Sequence, residues 1–407
     1  MMHDSAPPVS PRQARMTWFR RSGRRVPVEL RGSRFAPPGG VEEHHLLLRP
    51  VEPAPVGQQL RWLAQAYDEA IAELHLEPTD GVWRRFFCSD IHNQASALEG
   101  CPLSRRRSPR PPAAISWIEQ PPAPPAKLAL WACLLHDPAG GATAQLDDAT
   151  LAWRHNGLTH LWTCGLTHPD PAPPADQTRG VFEHYTTLLR RRGLSLADHA
   201  VRTWVFVRDI DHHYAEMVAA RRAFFAEHGL TPETHFIAST GIEGRGEHAG
   251  VRVMLDAYAV GGLRPEQVAF LRAPDHLSPT HVYGATFERG TAIAYADRKQ
   301  IFISGTASID PRGEVLHTGD VARQLDRTLE NIDALLARAG ATPADVNVLI
   351  AYVRDPADLS AVERHVRARC GNMPLMVVTA AVCRPTWLVE IECQAVVPEN
   401  RTDLPAL

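Results

Sequence analysis

The chain has 407 residues, of which 44% are hydrophobic and 22% charged, and its formal net charge is -3. This composition is typical of a globular protein with roughly two to four domains, and the charge balance gives no support to a nucleic-acid partner. No apolar run approaches the roughly 20 residues that a membrane span needs, which excludes a membrane protein.

The first 40 residues differ from the rest of the chain. They are rich in Arg and Pro and poor in acidic residues, as in "RQARMTWFRRSGRRVPVELRGSRFAPPGG". A segment of this kind cannot bury enough apolar surface to fold alone. The composition therefore predicts a flexible arm over residues 1–40.

One pattern then occurs three times along the chain, at residues 59–90, 177–209 and 324–355. Each copy has apolar residues at helical spacing, a loop that stops the helix, and an extended apolar run that ends at an Asp. A Gln opens each copy, and a loop Asp follows it after 21 residues. The pairs are Gln59 and Asp80, Gln177 and Asp198, and Gln324 and Asp345. This spacing indicates an internal repeat.

The segments that flank these copies add a strand before the helix, a second helix after the strand, and a closing strand. Each unit is therefore predicted to be an α+β layer, in which a mixed sheet has two helices on one face. The predicted units cover residues 41–145, 146–270 and 271–407. Because a single unit leaves part of its sheet uncovered, we expect the three to pack together as an intramolecular pseudo-trimer, which would make the protein a monomer.

The closing strand of the third unit, "WLVEIECQAV", carries two carboxylates on one face, Glu390 and Glu392. In the second unit, Asp256 corresponds to Glu392, whereas Met254 corresponds to Glu390. A charge present in only one of three repeated units is a candidate catalytic group, and Glu390 is therefore predicted to act as an acid or base.

The motifs "HVYGATFERG", "ISGTASIDPRG" and "LVEIECQAV" closely resemble those of the YjgF/RidA superfamily. The resemblance implies RidA-like (chorismate mutase-like) units with ligand sites in the clefts between them. It also implies that Tyr283 and Glu390 lie in such a pocket. The substrate-binding arginine of RidA-type imine deaminases would fall near Met376, where this chain has none.

Within the superfamily, "CRPTWLVEIE" resembles the chorismatases, which combine RidA-like domains in one chain. The resemblance implies that Glu390 protonates the enol-pyruvyl group of chorismate, which leaves as pyruvate, and that Cys383 directs the ring chemistry. The product would be a hydroxybenzoate or a dihydroxycyclohexadiene carboxylate. The loop "ASTGIEG" resembles a chorismatase loop of the preceding domain, and Arg222 resembles an arginine that precedes it.

Other residues are predicted to bind the substrate because of their chemistry. Thr240 and Gly241 are placed to offer backbone N–H groups to an anion. Arg222, Arg245 and Arg384 are expected near the substrate carboxylates, since a guanidinium binds a carboxylate through two hydrogen bonds. We expect the partner to be a small anionic carboxylate metabolite.

The sequence predicts neither a metal nor a cofactor. The seven cysteines are scattered without zinc-type spacing, and the paired histidines His44-His45 and His212-His213 are adjacent rather than one helical turn apart. The free cysteines fit a cytoplasmic location.

Three functions stay open on the sequence. A chorismatase-like enzyme would release pyruvate from chorismate, and a RidA-type enamine or imine hydrolase would release ammonia. A non-catalytic small-molecule binder would bind its ligand without turnover.

Overall fold

A computed structural model describes residues 15–22, 25–105, 113–147, 149–168 and 172–407. Within these residues the chain forms three six-stranded sheets, each with helices against one face. None of the helices in these ranges is both long and apolar enough to span a lipid bilayer.

The three units share six strands and two long helices in the same order, and the second unit has an additional short helix, α4. The first unit comprises β1 (Arg15–Ser22), β2 (Val28–Ala36), β3 (Glu42–Pro50), α1 (Val56–Glu73), β4 (Gly81–Cys88), α2 (Ile91–Gly100), β5 (Ala114–Glu119) and β6 (Leu128–His136). The second comprises β7 (Thr143–Asp147), β8 (Thr150–His155), β9 (Leu158–Thr167), α3 (Pro174–Arg190), α4 (Leu196–His199), β10 (Ala200–Val207), α5 (Ile210–Glu227), β11 (Ala238–Glu243) and β12 (Val253–Gly261). The third comprises β13 (Val268–Phe270), β14 (Gly290–Ala294), β15 (Arg298–Ala307), α6 (Val321–Arg338), β16 (Val346–Val353), α7 (Leu359–Cys370), β17 (Leu375–Thr379) and β18 (Val389–Pro398).

The strand order is also the same in each sheet. It runs β1-β2-β3-β6-β4-β5 in the first, β7-β8-β9-β12-β10-β11 in the second and β13-β14-β15-β18-β16-β17 in the third. All neighbouring strands are antiparallel except the last pair of each sheet, which is parallel and joined by a helix. The predicted α+β fold of three repeated units is confirmed.

The repeated glutamine has the same structural role in all three units. Gln59, Gln177 and Gln324 are fully buried at the start of α1, α3 and α6. In each case the side-chain oxygen accepts a hydrogen bond from a backbone N–H at the beginning of the closing strand, and the side-chain nitrogen donates to nearby carbonyls. The amide thus joins the first helix of each unit to the strand that closes its sheet.

The sheet faces that the helices leave uncovered meet in one central core. Strand β6 shows the alternation: Leu128, Leu130 and Leu134 pack under the helices of the first unit, whereas Trp131 and Leu135 point to the central core. The same core contains strand residues from the second and third units. Each sheet therefore covers the other two.

Three equivalent backbone hydrogen bonds link the units in a ring. Each runs from an N–H at or just after the end of the parallel edge strand to a carbonyl of another unit. The donors and acceptors are Glu119 and Arg245 (2.9 Å), Glu243 and Ala381 (3.1 Å), and Thr379 and Pro121 (2.7 Å). The cycle runs from first to second, second to third and third to first, which is the arrangement of a closed pseudo-trimer.

The structure corrects the predicted N-terminal arm. Residues 15–22 and 28–36, predicted to be flexible, form β1 and β2 of the first sheet, and residues 1–14 lie outside the described part of the chain. The composition was misleading because Val28 and Leu30 are buried against the first unit's helices, whereas Arg31 lies on the opposite side of β2. Strands β7 and β13 also begin a few residues before the predicted unit boundaries.

This correction predicts a measurable loss of stability. Leu30→Ala removes a side chain that is 4% exposed, and we expect it to lower the free energy of unfolding by about 2–5 kcal/mol. Thr17→Ala, at an exposed position on β1, is the control and should change it by less than about 0.5 kcal/mol. Equal, small effects of both changes in chemical denaturation would show that β2 does not contribute to the core.

Candidate functional site

A cavity of about 280 Å³ lies between the second and third units. The second unit contributes α5 and β11, and the third contributes the segment before β14, the ends of β15 and β18, and the loop before β18. Six of the eight predicted site residues line this cavity: Glu390, Cys383, Tyr283, Arg222, Gly241 and Arg384. The cleft is therefore the one that the repeat predicts.

The other two predicted residues lie outside the cavity lining. Arg245 is 46% exposed, and its guanidinium lies 3.4 Å from Glu119 and 3.9 Å from Glu243, so its prediction as a cavity residue was wrong. The Thr240 hydroxyl donates to Glu392 and accepts a hydrogen bond from the backbone N–H of Gly305. It therefore supports the cavity from behind rather than facing a ligand.

Glu390 is a buried carboxyl without a protein partner. It is 5% exposed, and its carboxyl oxygens take part in none of the hydrogen bonds found among the described residues. The pKa of Glu390 is raised to about 8, chiefly by burial and also by the negative charge of Glu392, whereas Arg202 and Arg289 oppose the rise. At pH 7 this carboxyl holds its proton.

Gly305 makes room for the Glu390 carboxyl. A Cβ at residue 305 would lie 2.1 Å from Glu390 Oε1 and 3.1 Å from Thr240 Cγ2. No other residue type fits there without moving the carboxyl. Gly305, near the end of β15, is therefore part of the site.

Glu392, two residues further along β18, has the opposite environment. Its oxygens accept hydrogen bonds from Arg202 (2.7 Å), Trp204 (2.7 Å) and Thr240 (2.5 Å), all of the second unit. These contacts stabilise the ionised carboxylate and lock the second unit against the third. The two carboxyl groups of one strand face thus differ in their partners: Glu392 accepts three hydrogen bonds, and none is found for Glu390 among the described residues.

Cys383 lies in the cavity wall as a neutral thiol. Its pKa is raised to about 12, chiefly by burial and to a smaller extent by the neighbouring Glu390 carboxyl, whereas a hydrogen bond with Tyr214 opposes the rise. A thiol with such a pKa is not ionised at pH 7 and is a poor nucleophile. Its contribution to a reaction is therefore as a polar, polarisable wall group.

Four arginines surround the cavity: Arg221, Arg222, Arg289 and Arg384. Across the described ranges, none of them has a carboxylate within 4 Å. Arg221 and Arg289 are 2% and 5% exposed, and their protein partners are only hydroxyl or carbonyl oxygens. Buried guanidinium groups without an acidic partner are costly unless a ligand supplies the negative charge.

Arg222 and Arg384 lie nearer the cavity entrance. Arg222 is exposed and donates to the carbonyl of Gly284 (2.5 Å). Arg384 stacks over the rings of Tyr283 and Trp387, with centroid distances of 4.8 and 4.7 Å. Both therefore close the cavity on the side of solvent.

The sequence analysis missed Arg221, Arg289 and Tyr214. Arg221 was passed over for its neighbour Arg222, although the helical period was sufficient to separate them. Residues 210, 214, 217, 218, 221, 224 and 225 form one face of α5, which is the face against the sheet and the cavity.

The other two clefts between units lack the acidic group. The strand registers identify the equivalents of Glu390 as Met254 and Ala129, those of Glu392 as Asp256 and Trp131, and those of Thr240 as Ser116 and Met376. Trp117 takes the position that Gly241 has at the cavity. Met376 therefore belongs to a different cleft, and Thr240 occupies its place at the Glu390 cavity, so the deaminase arginine is absent there as well.

Known proteins share parts of this chain. Residues 290–397 match the family described as Endoribonuclease L-PSP. A chorismatase of Streptomyces rapamycinicus is 32% identical over 215 residues, which are 47% of this chain and 62% of that protein. The chain thus matches less than two thirds of the length of this relative.

Two further similarities cover a larger share of the matched protein. A RutC family protein of Pyrococcus abyssi is 32% identical over 96 residues, which are 24% of this chain and 76% of the relative. A crystal structure of a chorismatase superimposes with a TM-score of 0.59 and 21% identity, over 78% of this chain and 93% of that one. The superposition shows that the two share a fold.

The protonated state of Glu390 predicts a pH-dependent effect of its replacement. Its folded pKa lies above the unfolded value, so its contribution to stability is present below about pH 4.5 and is lost as the pH rises through about 8. Glu390→Gln avoids this loss. The Tm of the variant relative to the parent should therefore increase between about pH 5 and 8 and then level off.

Glu99→Gln, at an exposed position on α2, is the matched control, and its Tm difference should not vary with pH in this way. A constant difference between Glu390→Gln and the parent over the same range would mean that Glu390 is ionised in the folded protein.

Proposed function

The chain belongs to the YjgF/RidA superfamily, and from this we propose that it is a chorismatase-like enzyme that removes the enol-pyruvyl group of chorismate as pyruvate. The feature that carries the proposal is the buried carboxyl of Glu390, whose raised pKa favours the neutral acid, in a cavity lined by four arginines that have no carboxylate within 4 Å among the described residues. A dianionic enol ether matches both features, since it needs a proton on carbon and cations for two carboxylates.

The first step is proton transfer from the Glu390 carboxyl to the methylene carbon of the enol-pyruvyl group. The electron pair of the carbon–carbon double bond forms the new C–H bond, and the adjacent ether carbon becomes cationic. The glutamate left behind is an anion next to this cation, so the charge that develops is stabilised where it forms. A pKa of about 8 makes Glu390 a sufficient acid that is still protonated at neutral pH.

The second step releases pyruvate in one of two ways. Addition of water to the cationic carbon, with its proton passing to the Glu390 carboxylate, gives a hemiketal. The hemiketal collapses by cleavage of the bond between its central carbon and the ether oxygen, which takes up a proton and stays on the ring as a hydroxyl, so that pyruvate and a dihydroxycyclohexadiene carboxylate are formed. Rearrangement and loss of a ring proton instead give a hydroxybenzoate and pyruvate without net uptake of water. Cys383, a neutral thiol in the wall, is the residue that we assign to this choice.

Arg221 and Arg289 are assigned to the substrate carboxylates. Each is buried and has guanidinium N–H groups near the cavity, and they come from different units. Tyr283, which contacts the guanidinium groups of Arg289 and Arg384, closes the pocket and offers its hydroxyl to the ligand. Binding would then hold the enol-pyruvyl carbon against Glu390.

The direct test is incubation of the purified protein with chorismate, with pyruvate measured by a coupled dehydrogenase and the ring product identified by chromatography. We expect equimolar pyruvate and one cyclic acid, a decline of kcat/KM above about pH 8, and loss of activity by a factor of about 10³ or more in Glu390→Gln. Ammonia release from 2-aminoacrylate without pyruvate release from chorismate would favour a deaminase, and chorismate binding without turnover would favour a receptor.

A pair of arginine variants separates the cavity from the surface. Arg221→Ala should raise KM for chorismate at least tenfold, because it removes a buried cation that we assign to a carboxylate. Arg245→Ala is the control, since this arginine lies at the surface near Glu119 and Glu243, and its KM should stay within about twofold of the parent. Equal KM values for the two variants would remove Arg221 from the site.

A further inference from the structure

A second cavity lies in the cleft between the third and first units. Its volume is about 430 Å³, and α7 of the third unit faces β1, β2 and β3 of the first unit across it. Four arginines line it, Arg20, Arg31, Arg49 and Arg367, together with two glutamates, Glu29 and Glu363. Val26, Pro27, Val28 and Val51 provide an apolar part of the wall.

This cavity is the pseudo-symmetric counterpart of the one that contains Glu390. Gly32 and Gly290 hold equivalent positions in the strand register. Gly32 pairs with a residue of β3 that pairs with Ala132 of the closing strand β6, and Gly290 pairs with a residue of β15 that pairs with Cys393 of the closing strand β18. The residues before these glycines, Arg31 and Arg289, are therefore equivalent. Arg49 and Val51 correspond in the same way to Ala307 and Ile309, which line the first cavity.

The two glutamates do not satisfy the four arginines. Glu29 accepts contacts from Arg20 (3.0 Å), Arg31 (2.9 Å) and Arg49 (3.1 Å), and Glu363 from Arg49 (2.9 Å) and Arg367 (2.8 Å). Two positive charges are left over. Arg31 is only 4% exposed, and its Nη1 has no hydrogen-bond partner among the described residues, as is also true of Nη1 of Arg367.

We propose that this second cavity binds a small organic carboxylate without converting it. The cavity keeps an arginine at the position of Arg289 and adds Arg49 and Arg367. In the strand register, Ala129 holds the position of Glu390, so this cleft has no equivalent of that acid. The buried Arg31, the partly buried Arg49 and Arg367, and the apolar edge at Pro27 and Val51 favour an anion with an apolar body over an inorganic oxyanion. Without an acid at residue 129, the bound molecule is not protonated there.

The proposal does not depend on the reaction at Glu390, so the test uses the Glu390→Gln protein to exclude turnover. The Glu390→Gln protein is titrated calorimetrically with isophthalate, an aromatic dianion. We expect two bound molecules per chain, one in each cavity. Val51→Trp should fill the second cavity without removing a charge, because Val51 is 46% exposed at its edge. We expect this change to abolish one binding component or weaken it at least tenfold and to leave the other unchanged.

Further variants assign the components. Arg31→Gln should remove the same component as Val51→Trp, and Arg221→Ala should remove only the other. A single isophthalate component that survives Arg221→Ala and is lost in Val51→Trp would still support the second site. Binding that Val51→Trp leaves unchanged would overturn the proposal, and sulfate that displaces isophthalate from this component with equal affinity would overturn the organic ligand class.

Discussion

The mutual cover of three sheet faces is the constraint on which the structure depends. In each unit the helices shield one face of the sheet, and the other face is apolar over several strands. Exposed faces of this size are unstable in water, and burying them is the main favourable term in folding. When the three faces pack against one another, all of them are removed from water in a single core. The ring of backbone hydrogen bonds between units fixes their order.

This arrangement also creates the clefts, since each lies where the second helix of one unit meets the first strands of the next. In a trimer of identical chains the three clefts are the same. Here one chain supplies all three clefts, and each has its own residues. The position of Glu390 is held by Met254 in the second unit and Ala129 in the first, and the position of Gly241 is held by the bulkier Trp117 in the first unit. Linking the units has separated the requirement for packing from the requirement for chemistry.

The sequence predicted the repeat and the α+β fold because the same spacing of Gln, Asp and apolar residues occurred three times, and the buried glutamine contacts explain why that spacing is kept. It also singled out Glu390, because a charge in one copy alone is visible without a structure. It failed for residues 15–36, where sheet pairing with β3 supplies the burial that the arginine-rich composition conceals. It failed for Arg245, because distance along a loop does not show which carboxylates lie nearby.

The pairing of a buried carboxyl of raised pKa with arginines that lack acidic partners among the described residues decides which ligands the Glu390 cavity is suited to bind. An ionised Glu390 would neutralise part of the charge of Arg221 and Arg289 and would compete with an anionic ligand for them. Burial and the neighbouring charge of Glu392 keep the Glu390 pKa near 8, so the proton stays on the acid and the arginines stay available. Arg202, Trp204 and Thr240 of the second unit donate hydrogen bonds to the Glu392 carboxylate. The contact that holds two units together therefore also positions the carboxylate that raises the pKa of Glu390.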